Sequence, residues 1–152
     1  MLDIFNGDDV LSHTDCELQP QDQLFMTLSV AAVSEVPAPR TLCLHGVLQQ
    51  HPVNILVDSG SSHSFLSASL ASQLTGVQAL PSILSIQVAN GERLSCSTYL
   101  PQARWEVAGY GFSSDLRVLP LSSYDIILGI DWLEQFSPMK VDWKLKWLVL
   151  PY

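Results

Sequence analysis

The chain has 152 residues, 47% of them apolar and 14% charged, which is enough apolar content for one packed domain and excludes a disordered class. Its formal charge of −8 is unevenly placed: residues 1–39 carry seven acids and no Lys or Arg, whereas residues 40–152 carry eight acids and seven bases. That distribution makes no cationic surface for phosphates, so a direct nucleic-acid partner is not expected, and no apolar run approaches the roughly 18 residues of a membrane span.

Residues 1–22 are polar and acidic without sustained periodicity and read as a flexible leader, followed by a single domain over 23–152. The acidic N-terminus does not read as a signal peptide. From Leu24 to Ala31 apolar residues alternate with a period of two, which predicts a strand. Thr41–Val47 and Val53–Val57 predict a hairpin turning through Gln49-Gln50-His51-Pro52. Phe65, Leu66, Leu70 and Leu74 then recur at helical spacing, with Gly76 as a stop.

Alternation returns at Leu84, Ile86 and Val88 and again at Leu94, Cys96 and Thr98. Between them stands Asn90-Gly91, a hairpin signal in which both turn residues are expected at positive φ. Trp105–Val107 and Phe112–Leu119 predict another pair, turning at Gly109-Tyr110-Gly111. Tyr124–Leu128 reads as a short buried strand, Ile130–Phe136 as one or two helical turns, and Val141–Trp143 with Trp147–Leu150 as a closing hairpin. Many short strands with regular turns and one or two short helices predict an all-β, closed barrel architecture.

Chemistry concentrates in Leu56-Val57-Asp58-Ser59-Gly60-Ser61-Ser62. An apolar strand ending in an acid holds a carboxylate rigidly. Gly60 allows a sharp turn and a close approach, and the Ser59 hydroxyl can tie the loop down. Taken alone, Asp-Ser-Gly is also an ordinary turn triplet. A second segment, Asp125-Ile126-Ile127-Leu128-Gly129, has the form of a short buried strand able to pass beneath that loop.

Together with Ser64-Phe65, Val88-Ala89-Asn90-Gly91-Glu92, Ile130-Asp131-Trp132-Leu133 and Val141-Asp142-Trp143, these segments resemble the retropepsin-like protease domain of gypsy-type LTR retrotransposon polyproteins, those of plant elements especially. The likeness covers roughly residues 25–150. It implies an acid-protease barrel acting as a homodimer, with Asp58 as the catalytic aspartate and Ser59 bonding across the dimer. Gly60 and Ser61 would border the substrate backbone, with Ser62 beside them in the active-site loop. Val88, Ala89, Asn90, Gly91 and Glu92 would form a flap over the peptide. Ile126, Ile127, Leu128 and Gly129 would support the loop from below. Ser59 stands where many relatives have Thr and keeps the hydroxyl, whereas Ser62 stands where some viral relatives have an acid.

The chain contains one such triplet, so the second carboxylate that the chemistry needs would come from a second copy. Leu24–Val30 and Trp147–Leu150 are candidate dimer strands. The function so implied is an aspartic endopeptidase cleaving a Gag-Pol-type polyprotein in the cytoplasm or in virus-like particles there. The alternative is a domesticated or inactive relative serving as a dimeric binding or assembly module.

No metal or other cofactor is expected. Cys16, Cys43 and Cys96 show no C-x-x-C, and the four histidines lack ligand spacing, which also argues for a reducing compartment. His63 beside Ser61, Ser62 and Ser64 could suggest a serine hydrolase. Neighbouring turn residues are expected to point apart, however, and no G-x-S-x-G elbow is present. Asp125, Asp131 and Asp142 read as turn or cap residues, and Trp132, Trp143 and Trp147 as core or interface aromatics.

Overall fold

A computed structural model describes residues 26–28 and 41–151. The predicted leader and the remainder of the Leu24–Ala31 strand lie outside the described residues. The strands are β1 (Met26–Leu28), β2 (Leu42–Leu48), β3 (His51–Val57), β4 (Phe65–Ser67), β5 (Gln78–Val88), β6 (Arg93–Val107), β7 (Tyr110–Leu119), β8 (Ile126–Leu128), β9 (Lys140–Asp142) and β10 (Trp147–Val149). Among the described residues there are also two four-residue helices, α1 (Ala68–Ala71) and α2 (Ile130–Leu133), the second continuing as a 3-10 turn over Glu134–Phe136.

Six strands close on themselves in the order β6-β2-β3-β8-β4-β7, with β7 pairing back onto β6. The architecture is therefore the all-β barrel with two short helices that the strand pattern predicts. β5 hangs outside the ring on β6, and β1 pairs with the outer edge of β5. The β9–β10 hairpin forms a separate two-stranded sheet.

Two hydrophobic clusters lie on either side of the strands that carry the site. Ile55, Val57, Leu66, Ile126 and Leu128 face the larger cluster with Trp105 and Trp132. Leu56, Phe65 and Ile127 face the other, which includes Ile86 and Val88 of β5. Successive residues thus enter opposite cores, so β3, β4 and β8 are buried on both faces and read as unbroken apolar runs. Trp132 does sit in the core, within an aromatic group of Trp105, Phe112 and Phe136.

Several local expectations are corrected. Phe65 and Leu66 are strand rather than helix: they pair with Arg117 and Val118 of β7 and with Ile127 and Ile126 of β8. Helical spacing misleads here because residues buried on both faces leave no period to read. Helix begins only at Ala68, after Ser67 accepts from the Leu70 N–H as N-cap.

The two hairpins also exchange turn chemistry. Gln49 and Gln50 both take positive φ (46° and 68°) in a two-residue turn, so the predicted four-residue connection contracts and β3 begins at His51. At the flap, Asn90 is not among the positive-φ residues, and only Gly91 is (φ 94°). Gly91 N–H donates to Val88 O and Val88 N–H to Glu92 O, which makes a three-residue turn closed by a left-handed glycine. The later turn falls at Ala108-Gly109, so Tyr110 and Gly111 belong to β7. The strand predicted from Tyr124 begins at Ile126, with the Asp125 N–H already bonded to Asn54 O of β3.

Candidate active site

β8 lies between β3, which it pairs in parallel, and β4, which it pairs antiparallel. The loop over residues 58–64 leaves β3 and returns as β4, so it must cross the C-terminal end of β8. Asp58 stands one residue beyond the last β3–β8 pair, Val57↔Leu128, and its N–H donates to Leu128 O at 2.9 Å. The Asp58 backbone is therefore an extension of a ladder buried on both faces.

The half-buried Asp58 carboxylate is held on both oxygens. Oδ1 accepts from the Gly60 N–H at 3.0 Å, and Oδ2 accepts from Ser61 Oγ at 2.7 Å. Ser61 N–H donates back to Asp58 O at 3.1 Å, closing the turn. Ser61 is fully buried with its hydroxyl directed at Asp58, whereas Ser59 and Gly60 are exposed.

Below the loop, Gly129 leaves no room for a side chain. A Cβ there would lie 2.3 Å from His63 O and 2.6 Å from Ser61 O. The close approach is fixed by hydrogen bonds from Ile130 N–H to Ser61 O (2.8 Å) and from Gly129 N–H to Ser64 Oγ (3.1 Å). Asp131 then clamps the far end of the loop: Oδ2 accepts from Ser64 N–H at 3.1 Å and Oδ1 from Ser64 Oγ at 2.7 Å. Ser64 is completely buried, so these partners satisfy groups that water cannot reach.

A carboxylate set rigidly at a strand end, on a loop pinned to a crossing strand, can activate a water molecule if a second carboxyl group faces it. A family model described as retroviral aspartyl protease matches residues 28–149. The chain belongs to the retroviral aspartyl protease family. Among solved structures it is similar to the retroviral protease-like domain of Ddi1 from Leishmania major, with a TM-score of 0.58 and 19% identity over 74% of this chain and 90% of that one. It is likewise similar to the EIAV protease complexed with the inhibitor HBY-793, with a TM-score of 0.51 and 18% identity over 66% of this chain and 91% of that one. At such identities the likeness is one of fold. No curated protein matches the chain.

Within this retroviral protease fold the flap candidates form the β5–β6 hairpin. Val88 is buried and anchors the turn, while Ala89, Asn90, Gly91 and Glu92 are exposed. The supporting residues Ile126, Ile127 and Leu128 are each fully buried. Ser64 and Asp131 both stand in segments that carry the family resemblance, but nothing in the sequence pairs them, and Asp131 is read there as a turn or cap residue.

One expectation about the loop fails. Ser62 and His63 do not point apart: Ser62 Oγ lies 2.8 Å from His63 Nδ1. Burial, and then the nearby Arg117 cation, lower the His63 pKa, opposed by Asp131 and Glu134. Ser62 nevertheless sits in a loop between two strands rather than on a strand-to-helix elbow.

Of the other residues weighed, His45 pairs with Asn54 (2.8 Å), and His51 Nδ1 bonds Gln49 O (2.9 Å). Asp125 accepts from the Asn54 N–H, and Asp142 accepts from the N–H groups of Lys144 and Leu145 in the last turn. Cys43 and Cys96 are free thiols, and Cys16 lies outside the described residues. No group of three or more His, Cys, Asp or Glu among the described residues could hold a metal.

Proposed function

We propose that this member of the retroviral aspartyl protease family is an active aspartic endopeptidase in which two copies of the chain each supply Asp58. The observation that carries the reading is the hold on that carboxylate: both oxygens accept hydrogen bonds from its own loop, and the loop is pressed onto Gly129. An acid acting only as a turn residue would not need a support built from a second strand.

In the proposed dimer the two Asp58 carboxyls face each other and share a proton, a behaviour for which aspartic proteases are the standing example. The ionised partner takes a proton from water as that water attacks the peptide carbonyl. The protonated partner donates to the carbonyl oxygen. Ser59 links the two loops, and Ala89–Glu92 closes over an extended peptide lying as an added strand. The substrate is a retroelement Gag-Pol-type polyprotein, processed in the cytoplasm or in virus-like particles there.

The contact surface between copies would include Ile130 and Trp143 near the loop and Trp147 and Val149 on the closing hairpin, all exposed. Ser59 shares an open groove of about 320 Å³ with Val57, Ile130, Trp143 and Leu148.

The test is cleavage of polyprotein-derived peptides by the purified chain. Expected are pepstatin sensitivity and a specific activity that climbs with protein concentration as dimer forms. Folded, dimeric protein that cleaves no peptide would leave the binding-module alternative in its place.

A further inference from the structure

The strand β1 takes no part in the barrel. Its pairing is with the outer edge of β5, in parallel and in the register Met26↔Ile86, Thr27↔Gln87, Leu28↔Val88. β5 has β6 on its other side, so without β1 it would present a row of open backbone N–H and C=O groups, the kind of edge that accepts an added strand.

The position of that edge matters. Val88 is the residue whose N–H and C=O close the flap turn, so β1 runs along β5 up to the flap tip. Ile86 and Val88 pack in one cluster with Leu56 and Ile127, neighbours of Val57 and Leu128 at the site floor. The chain re-enters the sheet at Leu42, which is paired with Val57, the residue before Asp58. Leu28 therefore lies beside the flap turn, and Leu42 beside the residue before Asp58.

We propose that the outer edge of β5 is a peptide-accepting edge held in cis by the chain's own Met26–Leu28, which an extended peptide must displace to lie under the flap. Its effect on catalysis rests on the endopeptidase reading above. Binding at the edge does not.

The described ladder is three residue pairs, short enough for a competing strand to replace, while the covalent link to β2 keeps the occupant at high effective concentration. The occupant also indicates the kind of peptide that fits. Residues 23–34 contain no charged side chain, and Met26 and Leu28 take the register positions beside the buried Ile86 and Val88. An uncharged, apolar-alternating segment in extended form is the chemistry this edge accepts.

The test uses the full chain with Met26→Pro and Thr27→Pro. Successive residues of a strand direct their N–H groups to opposite sides, so one of these prolines removes a ladder bond to β5 and the other does not. The probe is a fluorescent peptide copying residues 23–31, followed by anisotropy. One variant is expected to bind it roughly fivefold tighter than the unmutated chain, the equivalent of one hydrogen bond, and the other to match the unmutated chain.

The same variant is expected to show a KM for peptide substrate lowered by a similar factor, with kcat unchanged. Tighter probe binding in a chain that cleaves nothing would support the edge and remove the endopeptidase reading. Equal binding by all three chains would overturn the proposal, as would tighter binding with a KM that stays the same or rises. Hydrogen exchange on the unmutated chain needs no variant: Val88 N–H bonds Glu92 O on the β6 side, so Gln87 N–H faces β1, and exchange at Gln87 as fast as at the exposed Ala89 would also overturn it.

Discussion

The Asp58 loop and the β9–β10 hairpin are built in opposite ways. In the loop, Asp58, Ser61, Ser64, Gly129 and Asp131 find partners inside the same chain, and the strands beneath are buried on both faces. In the hairpin, β9 and β10 pair, among the described residues, only with each other, and Trp143, Leu145, Trp147 and Val149 are exposed at 57%, 69%, 43% and 53%. Half-buried Val141 and Leu148 tie the hairpin to the core. One copy of the chain thus suffices to fix where the carboxylate points, but it leaves apolar surface beside the site. That division is what the proposed dimer requires: a rigid half-site in each protomer and an interface still to be covered.

The contrast can be broken most directly at the carboxylate. Asp58→Asn keeps the shape of the loop and removes the ionised form, so peptide cleavage is expected to fall by about a thousandfold or more while circular dichroism is unchanged. Retained cleavage would take Asp58 out of the mechanism.

Next in size is Gly129→Ala. Its methyl would have to enter space held by the backbone of Ser61 and His63, and a loss of about 3 kcal/mol in denaturant unfolding is expected. Gly91→Ala, with no atom within 4 Å, meets only the strain of its positive φ and is expected to lose about 1 kcal/mol. Equal losses would show that the floor is not the tight element.

Ser64→Ala orphans the Gly129 N–H and removes one of the loop's two bonds to Asp131, leaving that from the Ser64 N–H. About 2 kcal/mol is expected, together with a lower kcat as Asp58 loses its fixed seat. On the hairpin, Trp143→Ala and Trp147→Ala are expected to leave unfolding of the protomer within about 0.5 kcal/mol. They should weaken self-association by roughly tenfold in analytical ultracentrifugation. A large loss of protomer stability would make the hairpin a structural part instead.

The smallest effect is one of pH. Because the folded-state pKa of His63 is depressed by burial and Arg117, the unfolded chain binds more protons in the window just below the ordinary histidine value. His63 therefore contributes stability that is present above its unfolded pKa and is lost as pH falls through the folded one. His63→Gln is expected to flatten the acid limb of a stability–pH curve. An unchanged limb would mean that other groups set it.

Much of this protein is legible in its amino-acid order. Val57-Asp58-Ser59-Gly60 and Asp125–Gly129 stand out because a buried strand ending in an acid or a glycine is a local pattern, and the resemblance built on them leads to the family and the barrel. Alternation locates β5, β6 and β7 because each has one face in a core. Where residues are buried on both faces the periodicity vanishes, and Phe65–Ser67 is legible only as part of a helix.

The sequence by itself determined which residue could do the chemistry, since the Asp58-Ser59-Gly60 triplet and the Asp125–Gly129 segment are local patterns that together carry the resemblance. Only the tertiary structure decided what holds it. Asp131 reaches Ser64, and Gly129 yields its space to Ser61 and His63, across more than sixty positions of chain. The turn geometry was decided there too: Gln49-Gln50 takes the left-handed turn that the residue types of Asn90-Gly91 favour. Strand pairing fixes loop length and twist, and these can override what the turn residues prefer on their own.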